Sequence, residues 1–175
     1  MKLFYSKLIA TFKKEEIKDK YRTSGVKPPQ FIDIYAGQDY NPGAFEAFNF
    51  PALLVEWTID YKSSPPVASI NFHLCYEQLR DTSSLGKNTA EALKFLDFTE
   101  ITDHVLKTIE TEHTGKLSLI SEGNKLDDTV VDVYNLSYQC SYTGKMSAPN
   151  SGYIKGEIEN LTAKRQGLYT QLLGD

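Results

Sequence analysis

The chain has 175 residues, 41% of them hydrophobic and 24% charged, and its formal net charge is -4 at pH 7. This length predicts one domain that buries roughly 70% of the surface exposed by its unfolded form, and the composition excludes global disorder. The acidic balance argues against a nucleic-acid clamp, which needs clustered lysine and arginine to neutralise phosphates. The chain contains no signal-peptide pattern and no apolar run near the roughly 20 residues that cross a bilayer, so we expect a protein that stays in water.

The first predicted element is an amphipathic helix over residues 1–20. Its apolar residues fall close to one face: Leu3, Phe4, Leu8, Ile9, Phe12 and Ile17. The segment at 22–30, RTSGVKPPQ, is predicted to end this helix, because Gly25 suits a C-terminal cap and the two prolines cannot continue a helix.

The stretch at 31–57 predicts two strands on either side of a long loop. Residues 31–35 form the first strand, and the second begins after Pro51 and covers 52–61. The loop at 36–49 is longer than most connections within compact domains, so it is a candidate working loop.

The segment at 67–77 has the clearest alternation of apolar and polar residues in the chain. It predicts a half-buried strand that forms an antiparallel hairpin with 52–61, across a Ser-Pro turn at 63–66.

A second helix is predicted over about 89–113, where apolar residues follow a helical stripe that Ala92, Phe95 and Phe98 widen: Leu93, Leu96, Ile101, Val105 and Ile109. A short strand at 116–120 and a charged turn at 121–128 follow. The longest predicted strand covers 129–142. Val131 and Val133 are out of phase with its other apolar residues, so either a bulge falls near Val133 or this end is buried on both faces.

These elements predict an α+β fold, in which one mostly antiparallel sheet of four to five strands packs against two helices. The fold is expected to occupy residues 1–144. Residues 145–175 contain several glycines and few clustered apolar residues, so they predict an extended C-terminal arm that orders on a neighbouring subunit or packs on its own domain.

The residue pattern does not suggest catalysis, a cofactor or a metal. His73, His104 and His113 lack metal-ligand spacing, and neither Cys75 nor Cys140 has a neighbouring histidine that would activate it. Both cysteines are expected to be reduced thiols in a cytosolic compartment.

Asp127 and Asp128 allow two interpretations, a cation site or a solvated turn. The turn is favoured, because a calcium loop alternates its ligands and ends in a bidentate glutamate.

Exposed aromatic and apolar residues point instead to contact with other proteins. In the working loop the candidates are Tyr40, Phe45 and Phe48, although Phe45 and Phe48 could equally fold back over the edge of the sheet. In the arm the candidates are Tyr153, Ile154, Ile158, Leu161 and Tyr169.

Several stretches, in this order, resemble one protein family. After the N-terminal helix come FIDIYAGQ, FNFPALLVEW, ASINFHLCYE, ALKFLDFTEITDHVLKTIE and DDTVVDVYNLSYQCSY. The series, over about residues 3–142, resembles the tail terminator (tail completion) proteins of tailed bacteriophages, particularly those of Bacteroidetes phages and prophages. The most telling pieces are DIYAGQ at 33–38, FPALLVE at 50–56 and the late strand that ends at 142.

The resemblance implies a virion structural protein of the tail and neck, made in the cytoplasm of the bacterial host. Such a protein assembles as a ring, expected to be a hexamer, on the last ring of tail-tube protein, and offers a surface to the neck or head-completion protein. DNA passes through the lumen without specific binding, and no cofactor, enzymatic step or membrane is implied. One alternative is a head-completion or neck connector protein. Another, from a different class, is a small cytosolic ligand-binding or hydrolytic domain with its site in the loop at 36–49.

Overall fold

The computed structural model of the protein describes residues 1–41, 43, 50–77 and 79–144. Within these ranges, three helices and one five-stranded sheet form an α+β fold, which confirms the predicted fold class. The predicted arm at 145–175 lies outside the described residues. None of the described helices is both long enough and apolar enough to cross a membrane.

The predicted N-terminal helix is in fact two helices, α1 (Lys2–Phe12) and α2 (Glu15–Thr23). Lys14 between them has an extended backbone, with φ -69° and ψ 135°. Phe12 and Ile17 are buried on either side of this break, and a spacing of five does not return to the same face of one straight helix. The prediction of one continuous helix is therefore wrong, because the break is what allows both helices to bury apolar residues.

The end of α2 depends on Gly25, as predicted. This glycine has φ +72°, in the left-handed region. The Val26 N–H donates to the Tyr21 carbonyl (3.0 Å) and the Gly25 N–H donates to the Arg22 carbonyl (3.0 Å). This pair of hydrogen bonds is the Schellman arrangement, which satisfies the last carbonyls of a helix.

The sheet has the strand order β1-β2-β3-β5-β4. Its strands are β1 (Phe31–Ile34), β2 (Ala52–Asp60), β3 (Val67–Tyr76), β4 (Ser118–Asn124) and β5 (Asp132–Ser141). The predicted β2-β3 hairpin is confirmed, with Leu53 opposite Leu74. β1 runs parallel to β2, with Phe31 opposite Ala52, so the two strands do not form a hairpin.

Each side of the sheet has its own core. On one side, which we call the helix side, strand residues such as Val55 and Phe72 pack with Phe4 and Phe98 from the helices. On the other, the loop side, a smaller cluster contains Ala52, Leu54, Cys75, Val131 and Val133. The beginning of β5 is thus buried on both faces, which was one of the two predicted alternatives for Val131 and Val133.

The third helix, α3 (Thr89–Leu106), is shorter than predicted, and it buries only part of the predicted stripe. Leu93 and Leu96, predicted to be in the buried stripe, are 57% and 52% exposed, so that prediction is wrong for both. The helix faces the sheet with Phe95, Phe98, Thr99, Thr102, Val105 and Leu106.

Thr102 explains how a polar residue occupies the buried face of α3. Its hydroxyl donates to the Phe98 carbonyl (2.7 Å) and lies 2.9 Å from the Tyr21 hydroxyl. The hydroxyl is therefore hydrogen-bonded although it is buried, so it avoids the cost of an unpaired polar group.

β4 also differs from its prediction, since it begins and ends later than 116–120. It continues to Asn124, through residues predicted to be a turn. Its pairing with β5 shifts register between Leu119 and Ser121, which leaves Ile120 as an extra residue on β4. Because β4 lies at the edge of the sheet, its polar residues after this bulge remain exposed to solvent.

Candidate protein-interaction site

The working loop leaves β1 through a tight turn whose shape is set locally. Gly37 has φ +81°, and a short 3-10 helix (Gln38–Tyr40) follows it. The Gln38 side chain accepts a hydrogen bond from the Ala36 N–H (2.6 Å) and donates one to the Ile34 carbonyl (2.9 Å). These bonds reverse the chain and direct it over the loop side of the sheet. We call residues 35–41 the pinned loop.

The pinned loop is fastened to the segment between β4 and β5 by a buried ion pair. Asp39 has no exposed surface, and one of its carboxylate oxygens accepts a hydrogen bond from Lys125 Nζ at 2.8 Å. The Val130 N–H also donates to the Asp39 carbonyl, at 2.9 Å. These contacts join segments that are 86 residues apart in sequence, so they hold the loop in one position.

Lys125 is enclosed by aromatic rings as well as by the carboxylate. Its Nζ donates to the Tyr35 hydroxyl (3.3 Å) and lies 4.2 Å from the centre of the Tyr40 ring. Burial by itself lowers the pKa of Lys125, but the contacts with Asp39, Tyr40 and Tyr35 outweigh burial and raise the pKa above its usual range. The lysine therefore keeps its charge at neutral pH.

Tyr40, a predicted contact residue, is fixed in position while one part of it faces solvent. Its hydroxyl donates to Asp127 Oδ2 at 2.9 Å, its ring covers Lys125, and it is 48% exposed. Asp127 and Asp128 are both exposed, in agreement with the predicted solvated turn. A half-exposed aromatic side chain that is already ordered loses little entropy when a partner binds it.

Two exposed leucines lie near Lys125. Leu96 of α3 and Leu126, which follows Lys125, line the same cavity of about 360 Å³, and Lys125 lines it as well. Leu126 is 92% exposed. We call Leu96 and Leu126 the leucine patch. Two exposed leucines that line one cavity with Lys125, which the Tyr40 ring covers, form an apolar surface of the kind that protein interfaces use.

His73 lies beneath the pinned loop, on the loop side of β3. Its ring stacks on Tyr35, with 3.9 Å between the ring centres, and its Nε2 lies 3.4 Å from Glu56 Oε1. Burial lowers the pKa of His73, although Glu56 partly opposes this effect. The histidine is therefore neutral at pH 7 and supports the tyrosine on which Lys125 rests.

The cysteines lie on opposite sides of the sheet. Cys75 belongs to the loop-side core and Cys140 to the helix-side core, and both are free. Burial raises the pKa of the Cys75 thiol to about 12 and also raises the pKa of Cys140. Neither is a thiolate at neutral pH. Across the described ranges, no three His, Cys, Asp or Glu side chains are grouped closely enough to hold a metal ion.

Of the predicted contact residues, Tyr40 alone lies within the described residues. Tyr40 lies in the pinned loop, whereas the others lie outside the described residues: Phe45, Phe48, Tyr153, Ile154, Ile158, Leu161 and Tyr169. The sequence reasoning missed the Asp39–Lys125 pair, because nothing in the local pattern joins a loop aspartate to a lysine 86 positions later. It also missed the leucine patch, since Leu96 fits a buried stripe in the sequence.

No protein-family model matches the chain, and a search of curated proteins finds no relative.

Proposed function

We propose that this protein is a tail terminator of a tailed bacteriophage, a structural protein of the virion that works by assembly without a chemical step. Copies of the chain form a ring on the last ring of tail-tube protein, and the ring offers its other surface to the head-side neck. The order of the stretches that resemble this family supports the proposal, as does the α+β fold that the resemblance implies.

The observation that carries the proposal is the half-exposed Tyr40, fixed by the Asp39–Lys125 pair beside the leucine patch. The buried carboxylate and its lysine hold the Tyr40 ring in place, so the ring is ordered before a partner binds. Interfaces concentrate binding energy in ordered aromatic residues with apolar neighbours, and this surface has both. The pinned loop and the leucine patch together form the surface that contacts tail-tube protein or the neighbouring copy.

Charge is also consistent with a ring through which DNA moves. A lumen lined by lysine and arginine would bind passing phosphates and slow the DNA, whereas this chain carries a net charge of -4. The proposed ring lets DNA pass without holding it.

Binding of the full chain to purified tail-tube protein tests the proposal. We expect the chain to co-sediment with assembled tubes, to appear as a ring at one end of them, and to stop their growth. A chain that stays monomeric and ignores tube protein, at high concentration and in a reconstituted virion, would contradict the proposal. Binding to portal or head-completion proteins without binding to tubes would show a neck connector instead.

Two substitutions connect this test to the site. We expect Leu126→Lys to weaken tube binding or self-association at least tenfold, because it places a charge in the apolar part of the interface. Leu85→Lys is the matched control, since Leu85 is equally exposed, at 96%, but does not line the cavity of the leucine patch. Equal effects of the two substitutions would exclude the leucine patch as the contact surface.

A further inference from the structure

A groove lies on the helix side of the sheet edge, between α1, α2 and β1. Its volume is about 780 Å³, and its floor includes Ile9, Phe12 and Ile32. In the described part of the chain, β1 pairs only with β2, so no strand covers its outer edge. An apolar floor beside an open strand edge suits an extended peptide segment, which can lie along the strand.

The rim of this groove is basic. Four positively charged side chains line the groove, and no acidic side chain does: Lys13, Lys18, Arg22 and Lys27. Lys18 and Arg22 already pair with acidic residues of α2. Lys13 and Lys27 form no ion pair with any described residue. In a chain with a net negative charge, this local excess of positive charge favours an acidic segment as the occupant.

The chain itself contains a segment with the matching pattern. Residues 153–161 read YIKGEIENL, in which Glu157 and Glu159 outnumber the one basic residue, Lys155. In an extended backbone, successive side chains point to opposite sides, so Lys155, Glu157 and Glu159 share one side, with a net charge of -1, and Ile154 and Ile158 take the other. The segment can therefore offer carboxylates to the lysines and an apolar side chain to the floor.

We infer that this groove binds residues 153–161 of a second copy of the chain, and this inference rests on the proposed ring-forming function. The contact joins two different surfaces, an arm and a groove, so each copy uses its groove for one neighbour and its arm for another. Repeated around an axis, such a head-to-tail contact closes a ring.

Disulfide cross-linking between two full-length variants of different size tests this inference. One chain carries Lys27→Cys and the other, with a longer tag, carries Glu157→Cys, because Glu157 lies on the side of the segment that faces the lysines. The native cysteines are buried and should react slowly. With tail-tube protein present, we expect a cross-linked product of mixed size, reversed by reductant, at least fivefold above a control pair in which Lys7→Cys replaces Lys27→Cys. Lys7 is exposed on α1 but does not line the groove.

Two results would overturn the inference. Cross-linking no greater than in the control pair would show that the segment does not occupy the groove. In a chain that carries both cysteines, cross-linking only within single chains at all dilutions would show that the segment binds its own copy. Tube binding measured in the same samples separates these failures from failure of the proposed function. Normal tube binding without the cross-link would overturn the groove contact alone, whereas the cross-link without tube binding would overturn the tail terminator proposal.

A charge exchange gives an independent measurement. We expect Glu157→Lys with Glu159→Lys to weaken self-association at least tenfold in sedimentation, because it places positive charges against a basic rim. Adding Lys13→Glu and Lys27→Glu to the same chain should restore most of that association. Failure of the second pair to restore it would contradict the proposed charge match.

Discussion

Among single residues, Asp39 depends most on its partner, because its carboxylate is fully buried. It is fully buried, one of its oxygens accepts from Lys125, and its other oxygen, Oδ1, has no hydrogen-bond donor among the described residues. A buried carboxylate with so few donors depends on its one cation. The position of the pinned loop therefore depends on the charge of Lys125.

We expect Lys125→Met to lower the free energy of unfolding by roughly 3–5 kcal/mol, because it leaves Asp39 buried and unpaired. Urea unfolding at pH 7 measures this loss. The control is Lys94→Met, which removes an ion pair with Glu91 that is exposed to solvent, so its loss should be much smaller. Similar losses for the two variants would show that the Asp39–Lys125 pair does not anchor the loop.

His73 gives a pH dependence with a definite sign. Its pKa in the folded protein is lower than its ordinary value near 6.5, so below pH 6.5 the unfolded chain binds more protons than the folded chain. The His73 contribution to stability is complete above pH 6.5 and is lost as the pH falls towards the lowered pKa. Protonation would also place an N–H at Nδ1, which has no acceptor among the described residues.

We expect the free energy of unfolding to decrease between pH 6.5 and 5, by at most about 1.4 kcal/mol per pH unit from this one group. Urea unfolding across this range measures the slope, and His73→Gln should reduce it. His104→Gln is the control, since His104 is exposed on α3. An unchanged slope in His73→Gln would contradict the assignment of a buried neutral histidine.

At the scale of elements, α3 serves two surfaces. One face packs on the sheet through Phe95, Phe98 and Leu106, and the other presents Leu93 and Leu96 to solvent. Leu106 is buried and stabilises the fold, whereas the half-exposed Leu96 belongs to the proposed contact surface. The two roles can be separated by substitutions on the same helix.

We expect Leu106→Ala to cost about 2–5 kcal/mol of folding free energy, because it leaves a cavity beside the sheet. Leu96→Lys should change it by less than about 0.5 kcal/mol, because the side chain is half exposed. The same Leu96→Lys variant should bind tail-tube protein or other copies more weakly. Thermal or urea unfolding, together with co-sedimentation, distinguishes these effects. A large loss of stability in Leu96→Lys would place Leu96 in the core after all.

At the scale of the whole molecule, the described residues supply two hydrophobic cores of their own. The described members of the helix-side core run from Phe4 to Tyr142, and those of the loop-side core lie within the same span. Removing residues 145–175 takes away none of these described core residues.

We expect a chain that lacks residues 145–175 to remain folded with a similar thermal midpoint, while its self-association or tube binding weakens. Far-UV circular dichroism during heating measures the first effect, and co-sedimentation measures the second. A truncation that unfolds would show that these residues complete a core. One that assembles normally would exclude them from the interface.

Local patterns were sufficient for much of this fold. The alternation at 67–77 predicted the strand and its helix-side face, and Gly25 predicted a helix end, because both signals lie in neighbouring residues. The prediction that this strand is half-buried is wrong at His73 and Cys75, which the loop side also buries. Tyr40 was predicted as a contact residue because it lies in a long aromatic loop. The sequence by itself thus determined the fold class, the β2-β3 hairpin and the position of the working loop.

Only the tertiary structure decided which apolar residues are buried and which distant groups meet. Leu96 and Leu106 are equally apolar in the sequence, but the face that α3 buries includes Leu106 and leaves Leu96 half exposed. Asp39 and Lys125 are 86 residues apart, and they meet where the pinned loop contacts the segment between β4 and β5. Local propensity extends over a few residues, whereas helix orientation and long-range ion pairs are decided by how all the elements pack at once.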